Sequence, residues 1–391
     1  MLFSVLARIV DVSVFGKISY FVILSTLLIT TLDYGHRFLV VKELTQNIRK
    51  LSFNYLLEKI SIKLVLFPFF LCLLLIYFFT RDFWGYPPFL ILIFFTGSFF
   101  YSFCNLSYSV FHSANKFHLE TISQFVSTSV LGVGVFVTYY FSSEIYFILF
   151  YAVSGLLTCV CSGLLLKKNF VFESNNKKKN KLGYEFKLAF PFALITIIDI
   201  LFSSVDSYFI ESFCSEHSLG VYQGILKVVM GLSIFAVVAI SIGTPIISRL
   251  YKNLNKIAYY KIIGLFFLFL LSGVFVFLFY FFFNETFVLV LLGPKYIEII
   301  DWDFNLALFA LSRYLRIIPA IFFVISGFHW YRFFIVLVTL MISTVVLYVY
   351  LPGNSEKFAI RFMSLINFAM SVIYTILFFY LLNKQFLNLK K

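Results

Sequence analysis

Two carboxylates and a handful of cations lie where the chain is otherwise greasy. The run KLAFPFALITIIDILFSSVDSYFIESF carries Asp199 and Asp206, seven residues apart. That is close to two helical turns, so a continuous helix puts both on one face. LSRYLRIIP carries Arg313 and Arg316, three apart and also on one face. GVYQGILKV carries Lys227, and LDYGHR carries Asp33 and Arg37, four apart. Ionised side chains in such runs are costly in lipid, face the protein interior, and pair with each other or with a passing ion. The chemistry on offer is binding rather than bond-breaking. Guanidinium and ammonium groups hold an anion, and carboxylates brace them or take up a coupling cation.

Little else in the sequence can do chemistry. The five histidines (His36, His112, His118, His217, His329) are scattered over different loops and helix ends. No glycine-rich phosphate-cradling loop occurs. The five cysteines (Cys72, Cys104, Cys159, Cys161, Cys214) are odd in number and mostly within apolar runs, so neither a disulfide framework nor a zinc site follows. No cofactor and no metal is expected.

The elements that must position these charges are membrane spans. Of 391 residues, 61% are hydrophobic and 13% charged, with a mean hydropathy of +0.97. A soluble domain carries about 25% charged residues. Apolar runs near the membrane-crossing length of about 20 residues recur throughout. They read as Lys17–Val41, Ile60–Phe79, Pro88–Phe111, Leu119–Phe141, Ile145–Leu166, Leu188–Phe213, Leu219–Ile247, Ile262–Phe283, Phe304–Phe328, Phe333–Leu351 and Phe358–Leu382. The opening MLFSVLARIV is too short to span and reads as the tail of a first span otherwise missing. The fold class is therefore an all-α polytopic membrane protein. Around ESNNKKKNK the chain divides into an N-terminal bundle (1–168), a basic linker (169–184) and a C-terminal bundle (185–391). Counting the stub, each side holds six hydrophobic units. VSVFGKIS and EHSLGVYQ echo one another ahead of the second unit of each half, and helix-weakening sites follow at LDYGH and SIGTP. Six plus six with matching interruptions is the pattern of a transporter built from two repeats.

Lys and Arg collect in alternate loops, among them Lys42, Lys59 and Lys63, then Lys167 to Lys187, then Arg249 to Lys261, and finally Lys384 to Lys391. The opposite loops hold acids such as Glu144, Glu216, Glu285 and Glu356. The positive-inside rule makes the basic loops and the C-terminus cytoplasmic. The net charge of +13 is accounted for by this topology, and no nucleic-acid partner is expected.

Depths along the spans suggest pairings. Asp206 and Lys227 lie roughly seven and eight residues below the outer ends of successive spans, which at about 1.5 Å per residue matches them within a turn. An Asp206–Lys227 bridge is expected. Asp33 and Arg37 are expected to satisfy each other. Arg361, near the outer end of the last span, is expected to snorkel.

An ordered set of segments carries a family resemblance. It comprises LAR with VFGKIS at the start, LAFPF and SSVDSYFI, HSLGVYQGILKV, PIISRLYK, and LLGPKY. In this order the chain resembles the bacterial flippases that move lipid-linked oligosaccharides for O-antigen lipopolysaccharide and capsule assembly. Those belong to the multidrug, oligosaccharidyl-lipid and polysaccharide exporter superfamily. The resemblance implies two six-helix bundles around a central cavity and a multi-pass location in the bacterial inner membrane. It implies an undecaprenyl diphosphate-linked oligosaccharide as cargo, with membrane lipids and other polysaccharide assembly proteins as partners. For such a cargo, Arg313, Arg316, Lys227 and Arg37 are the candidate holders of the diphosphate. Tyr314, Gln223, Tyr208, Tyr222, Asn105 and Gln124 are candidate sugar contacts. Asp206 is expected to brace and Asp199 to couple. Two readings compete. A drug or metabolite exporter of the same superfamily would want an excess of buried acids. A membrane-embedded polymerase or acyltransferase would need an extracytoplasmic catalytic loop, and the longest outer segment, Asn284 to Asp303, carries no histidine.

Overall fold

The structure, a computed structural model, describes residues 2–45, 51–80, 86–141, 143–172, 182–252, 255–297, 303–353 and 355–388. The heart of the basic linker, 173–181, lies outside the described residues. Fifteen α-helices and no strand occur among the described residues, and ten segments are long and apolar enough to cross a membrane. Lipid offers no hydrogen-bond partner, so backbone groups must be satisfied within each segment, and helices do this.

The chain forms two compact units. One is Tyr20–Ile200. It contains most of α2 (Val12–Asp33), then α3 (His36–Thr45), α4 (Phe53–Thr80), α5 (Pro88–Ser113), α6 (Phe117–Phe141), α7 (Ile145–Asn169) and nearly all of α8 (Leu182–Phe202). Hydroxyl groups knit its interior. Tyr101 Oη lies 2.7 Å from both Ser127 Oγ and Ser154 Oγ, joining α5, α6 and α7. Ser98 donates to Ser25 Oγ at 2.7 Å, joining α5 to α2, and Ser25 in turn contacts Tyr151 of α7. With no hydrophobic driving force between helices in lipid, such bonds and close packing hold the bundle.

The other unit joins Phe3–Ser19 to the chain from Leu201 onward. It holds α1 (Leu2–Ile9) and the start of α2 with α9 (Val205–Phe213), α10 (Glu216–Leu232), α11 (Ile234–Lys252), α12 (Lys256–Leu291), α13 (Asp303–Ile325), α14 (His329–Tyr350) and α15 (Glu356–Asn388). The α13 helix is its axis. Ser371 of α15 donates to the Ser312 carbonyl at 2.8 Å, and Phe322 packs edge-on to Phe378 at 5.2 Å.

Three span readings change. Leu188–Phe213 is not one helix, because the chain breaks at Ser203–Ser204 between α8 and α9. Leu219–Ile247 is also two helices, α10 and α11, broken at Ser233. There the serine hydroxyl donates to the Val229 carbonyl at 2.6 Å and competes with the helical ladder. The expected weak point at SIGTP does not interrupt α11, which runs on through Gly243 and Pro245. Finally, α12 continues to Leu291, past a bend at Phe283, into what reads as an outer segment. Its residues there (TFVLVL) are apolar enough to prolong the helix.

The break at LDYGH occurs as expected. Tyr34 (φ 47°) and Gly35 (φ 72°) take left-handed conformations between α2 and α3. A Cβ on Gly35 would also lie 2.5 Å from the Ala193 nitrogen of α8. The two echoing segments, VFGKIS and SLGVYQ, pack against each other. A Cβ on Gly16 would lie 2.6 Å from the Gly220 nitrogen, and one on Gly220 would lie 1.9 Å from the Val12 carbonyl oxygen. Lys17 and Glu216 close the crossing with a 2.8 Å ion pair. Small residues let backbones approach in this way.

Gly220→Ala is therefore expected to destabilise the protein by about 1–3 kcal/mol, the usual cost of overpacking. Gly163→Ala, on α7 with nothing within 4 Å of its added Cβ, leaves stability unchanged. Thermal unfolding of the two purified variants, compared with the parent, checks this.

Candidate functional site

The helix break at Ser203–Ser204 decides what Asp206 does. It creates a helix N-terminus inside an apolar segment and puts Asp206 in the first turn of α9. Exposed N–H groups and the helix dipole favour a negative charge there. The carboxylate accepts the Ser207 N–H at 2.7 Å and the Ser207 hydroxyl at 3.3 Å, and the Tyr222 hydroxyl of α10 donates to its other oxygen. Asp206 is buried, 1% exposed. Because the helix does not continue, the two-turn spacing no longer places Asp199 and Asp206 on a shared face. Asp199 is half-buried on α8, within the unit Tyr20–Ile200, whereas Asp206 belongs to the other unit.

The expected Asp206–Lys227 bridge is absent. The Lys227 ammonium instead sits over the Phe3 ring of α1, 4.3 Å from its centroid. An aromatic face is an adequate seat for a cation in a dry setting. Matched depth gave the right layer but not the right side of α10: Tyr222 faces α9 and Lys227 faces α1.

Arg313 and Arg316 project from α13, both half-buried. The Arg313 guanidinium lies 5.4 Å from the Phe309 ring centroid, and its buried Nε has no hydrogen-bond partner. Its charged neighbours are Arg316 and Asp206. Arg316 Nη1 approaches the Met370 sulfur of α15 at 3.8 Å, a weak contact. Two guanidiniums thus stand close together, and the carboxylate near Arg313 is already occupied by three donors.

The remaining expected contacts are spread out. Tyr314 is fully buried, and its hydroxyl donates to the Leu232 carbonyl at 2.8 Å. Gln223 is also buried and donates to Ser207 Oγ at 3.0 Å. Both are used in holding α9, α10 and α13 together. Arg361 is exposed on α15. Arg37 is exposed on α3, and only its backbone N–H reaches Asp33, at 3.0 Å. The Asp33–Arg37 side-chain pair is therefore not formed. Asp33 pairs with Lys63 of α4 at 3.1 Å.

That pair opens onto a buried network read in the sequence only as loop charge. Lys59 and Lys63 are both 0% exposed. Lys59 contacts Glu185 of α8 and lies 3.6 Å from Glu43 of α3. Tyr55 donates to Glu43 at 2.8 Å, and Lys63 also donates to the Ser102 carbonyl of α5 at 2.9 Å. The signal was present in the sequence: Lys59 and Lys63 are four apart, so on one face, at the start of a long apolar helix.

With this geometry in view, comparisons with known proteins fix the class. The fold is that of the MATE-type membrane transporters. An inward-facing multidrug resistance MATE family transporter of the MOP superfamily superposes with a TM-score of 0.75 at 11% identity, covering 98% of this chain and 93% of the other. An outward-facing form gives 0.74 at 12% identity, covering 98% and 92%. A MOP superfamily transporter from Pyrococcus furiosus Vc1 (DSM3638), described as having a binding pocket of reverse polarity, gives 0.71 at 13% identity, covering 98% and 91%. Residues 1–251 match the family described as polysaccharide biosynthesis protein, and the chain belongs to that family. No curated protein sequence matches.

Because Asp206 is held by Tyr222 and Ser207, a double-mutant cycle of Asp206→Asn with Lys227→Met should give a coupling energy near zero. Tyr222→Phe should lower stability by about 1–3 kcal/mol, the cost of depriving a buried acceptor of its donor. Lys59→Met should cost about 3–5 kcal/mol, since it orphans buried carboxylates. Chemical or thermal unfolding of the purified variants reads all three.

Proposed function

We propose that this protein is a flippase for a lipid-linked oligosaccharide. It moves an undecaprenyl diphosphate-linked repeat unit from the inner to the outer leaflet of the bacterial cytoplasmic membrane, for O-antigen or capsule assembly. Membership of the polysaccharide biosynthesis family and a transporter fold support this reading. The observation that carries it is Arg313: with Arg316 beside it, its buried Nε has no hydrogen-bond partner, and the oxygens of the neighbouring Asp206 are taken. A cationic excess in an apolar protein suits a diphosphate head and repels a cationic drug. The Pyrococcus furiosus transporter, described as having a pocket of reverse polarity that suggests a different function, is a precedent for one scaffold carrying pockets of opposite charge.

In this reading Arg313 and Arg316 grip the diphosphate, the glycan rides in a polar path, and the lipid tail stays in the bilayer. Tyr222 and Ser207 hold Asp206 as a fixed counter-charge that keeps Arg313 in place between turnovers. Asp199 is the coupling-ion carboxylate. The basic loops and the C-terminus lie on the cytoplasmic side. Likeness to multidrug MATE transporters favours drug export as the second reading.

In proteoliposomes, outward movement of a fluorescent lipid-linked sugar diphosphate should fall at least tenfold in Arg313→Ala/Arg316→Ala, with protein abundance unchanged. Each lost charged hydrogen bond is worth about 1.5–3 kcal/mol, and 1.4 kcal/mol is about tenfold. Arg361→Ala, at an exposed position, should leave movement unchanged. Full activity in the double variant, or export of a cationic dye that the double variant enhances, would favour the drug reading. Asp199→Asn should accumulate normally yet lose its dependence on an imposed ion gradient; retained dependence would remove Asp199 from coupling.

A further inference from the structure

Two buried carboxylates share one ammonium in the first unit. Lys59 of α4 contacts Glu185 of α8 and lies 3.6 Å from Glu43 of α3, and all three side chains are buried. The sharing is uneven, with Glu185 the nearer acid. Lys63, one turn further along α4, is held differently. It is tied to Asp33 of α2 at 3.1 Å and to the Ser102 carbonyl of α5 at 2.9 Å. Lys63 therefore pins α4, while Lys59 has a choice of acids.

Each of the two acids has further support. Glu43 accepts the Tyr55 hydroxyl at 2.8 Å. Glu185 sits in the first turn of α8, where N–H groups and the helix dipole favour negative charge. Losing Lys59 strips both acids at once, whereas moving it from one to the other leaves each with some support and the ammonium paired throughout. Tyr55 also seats the ammonium, 5.2 Å from its ring centroid. It touches both Lys59 and Glu43, so a shift of Lys59 towards Glu43 keeps that seat.

What the choice controls is α8. Pro191 lies inside this helix. A proline there removes the hydrogen bond to the carbonyl four residues back, that of Lys187, and weakens the ladder. Beyond the proline, α8 packs by its backbone against the α2–α3 corner, where a Cβ on Gly35 would lie 2.5 Å from the Ala193 nitrogen. Before it, side chains hold residues 182–190: Glu185 on Lys59, and Phe186 against Tyr34 with ring centroids 5.1 Å apart. A weakened turn thus separates a part of α8 fixed by backbone packing from a part fastened by an ion pair and a ring contact.

We propose that Lys59 is the bolt of a conformational latch, fastening residues 182–190 of α8 when it sits on Glu185 and releasing them to bend at Pro191 when it shifts to Glu43. No covalent bond changes, and one ammonium exchanges one carboxylate for another. The structure holds the fastened arrangement, with Lys59 nearer Glu185. Both arrangements leave the ammonium paired, so neither strands a buried cation, and a two-state element needs its two packings close in free energy. Tyr55 biases the choice: while its hydroxyl supports Glu43, Lys59 stays with Glu185. The segment so held runs on through α8 to the break at Ser203–Ser204. The latch stands apart from the arginine pair and from Asp199, and its test needs no cargo.

The test is amide hydrogen exchange, read by mass spectrometry on the full chain in lipid nanodiscs, over residues 182–190 of α8 and 53–63 of α4. Glu185→Gln should speed exchange in 182–190 by about tenfold or more, the size of a lost charged hydrogen bond, with 53–63 still protected because Lys59 keeps Glu43. Tyr55→Phe takes the hydroxyl from Glu43, draws Lys59 towards it, and should speed exchange in 182–190 from a position on α4. Glu43→Gln removes the second seat and should not speed it. A network that merely braces the fold responds alike to Tyr55→Phe and Glu43→Gln. Faster exchange in 182–190 with Glu43→Gln, no change there with Tyr55→Phe or Glu185→Gln, or equal loosening of 53–63 in Glu185→Gln overturns the proposal. So does failure of Glu43→Gln or Glu185→Gln to fold, since each is expected to leave Lys59 a carboxylate. Failure of the flippase reading would leave this exchange pattern untouched.

Discussion

A charge that leaves water for the interior of this protein needs its counter-charge or its donors close at hand, because lipid supplies none. The architecture is organised around that requirement. In the first unit Lys59 and Lys63 are met by Glu185, Glu43 and Asp33, drawn from α2, α3 and α8. Three separated stretches of sequence are thereby tied to α4. In the second unit Asp206 is met by a backbone N–H and two hydroxyls rather than by a cation. The difference has a consequence for binding. Where acid and base are paired, little charge is left over for a ligand. Where hydroxyls satisfy the acid, neighbouring cations keep theirs. Arg313 keeps a buried Nε without a hydrogen-bond partner, since Tyr222 and Ser207 hold the Asp206 oxygens.

Helix breaks matter as much as charges. Ser203–Ser204 ends α8 and starts α9 with Asp206 in its first turn, supplying the N-terminal dipole that steadies the carboxylate. Tyr34–Gly35 ends α2 and starts α3 beside Asp33. The two buried aspartates thus sit next to breaks, and in each case the break lets a backbone N–H help to solvate the carboxylate: Ser207 for Asp206, Arg37 for Asp33. Unwound backbone is tolerated at membrane depth where protein lines it.

The all-α membrane class, the two-bundle pattern and the interruption at LDYGH were legible in the sequence, since hydropathy and loop charge follow directly from the cost of burying polar groups in lipid; the count was not, because eleven expected spans become ten among the described residues. The echo of VFGKIS in SLGVYQ was legible too, though not its meaning as a direct glycine crossing. The break at Ser203–Ser204 was not. A serine inside an apolar run does not by itself mark a helix end, and neither proline nor glycine stands at the site. Missing that break turned a spacing of seven into a shared face that does not exist. Lys59 and Lys63 were misread for the opposite reason. Lysines at the head of a span usually snorkel to water, and only tertiary approaches draw these inside: Glu185, more than a hundred residues away, to Lys59, and Asp33 to Lys63.

A cationic patch in a membrane protein is unstable electrically unless something completes it, and the two arginines of α13 illustrate how. With Arg313 carrying an unpartnered buried Nε, the second unit is not at its electrostatic minimum. Its folding is secured elsewhere, by the Gly16–Gly220 crossing, the Lys17–Glu216 pair and the serine bonds along α13 and α15. In the proposed flippase reading, an anionic headgroup arriving at Arg313 and Arg316 relieves the repulsion between these neighbouring guanidiniums. Binding energy drawn from such relief depends on the charge of the head and little on the sugars attached to it. On that reading the site would recognise the diphosphate as a class, and any selectivity for one glycan would have to be written elsewhere, in residues that touch the sugar.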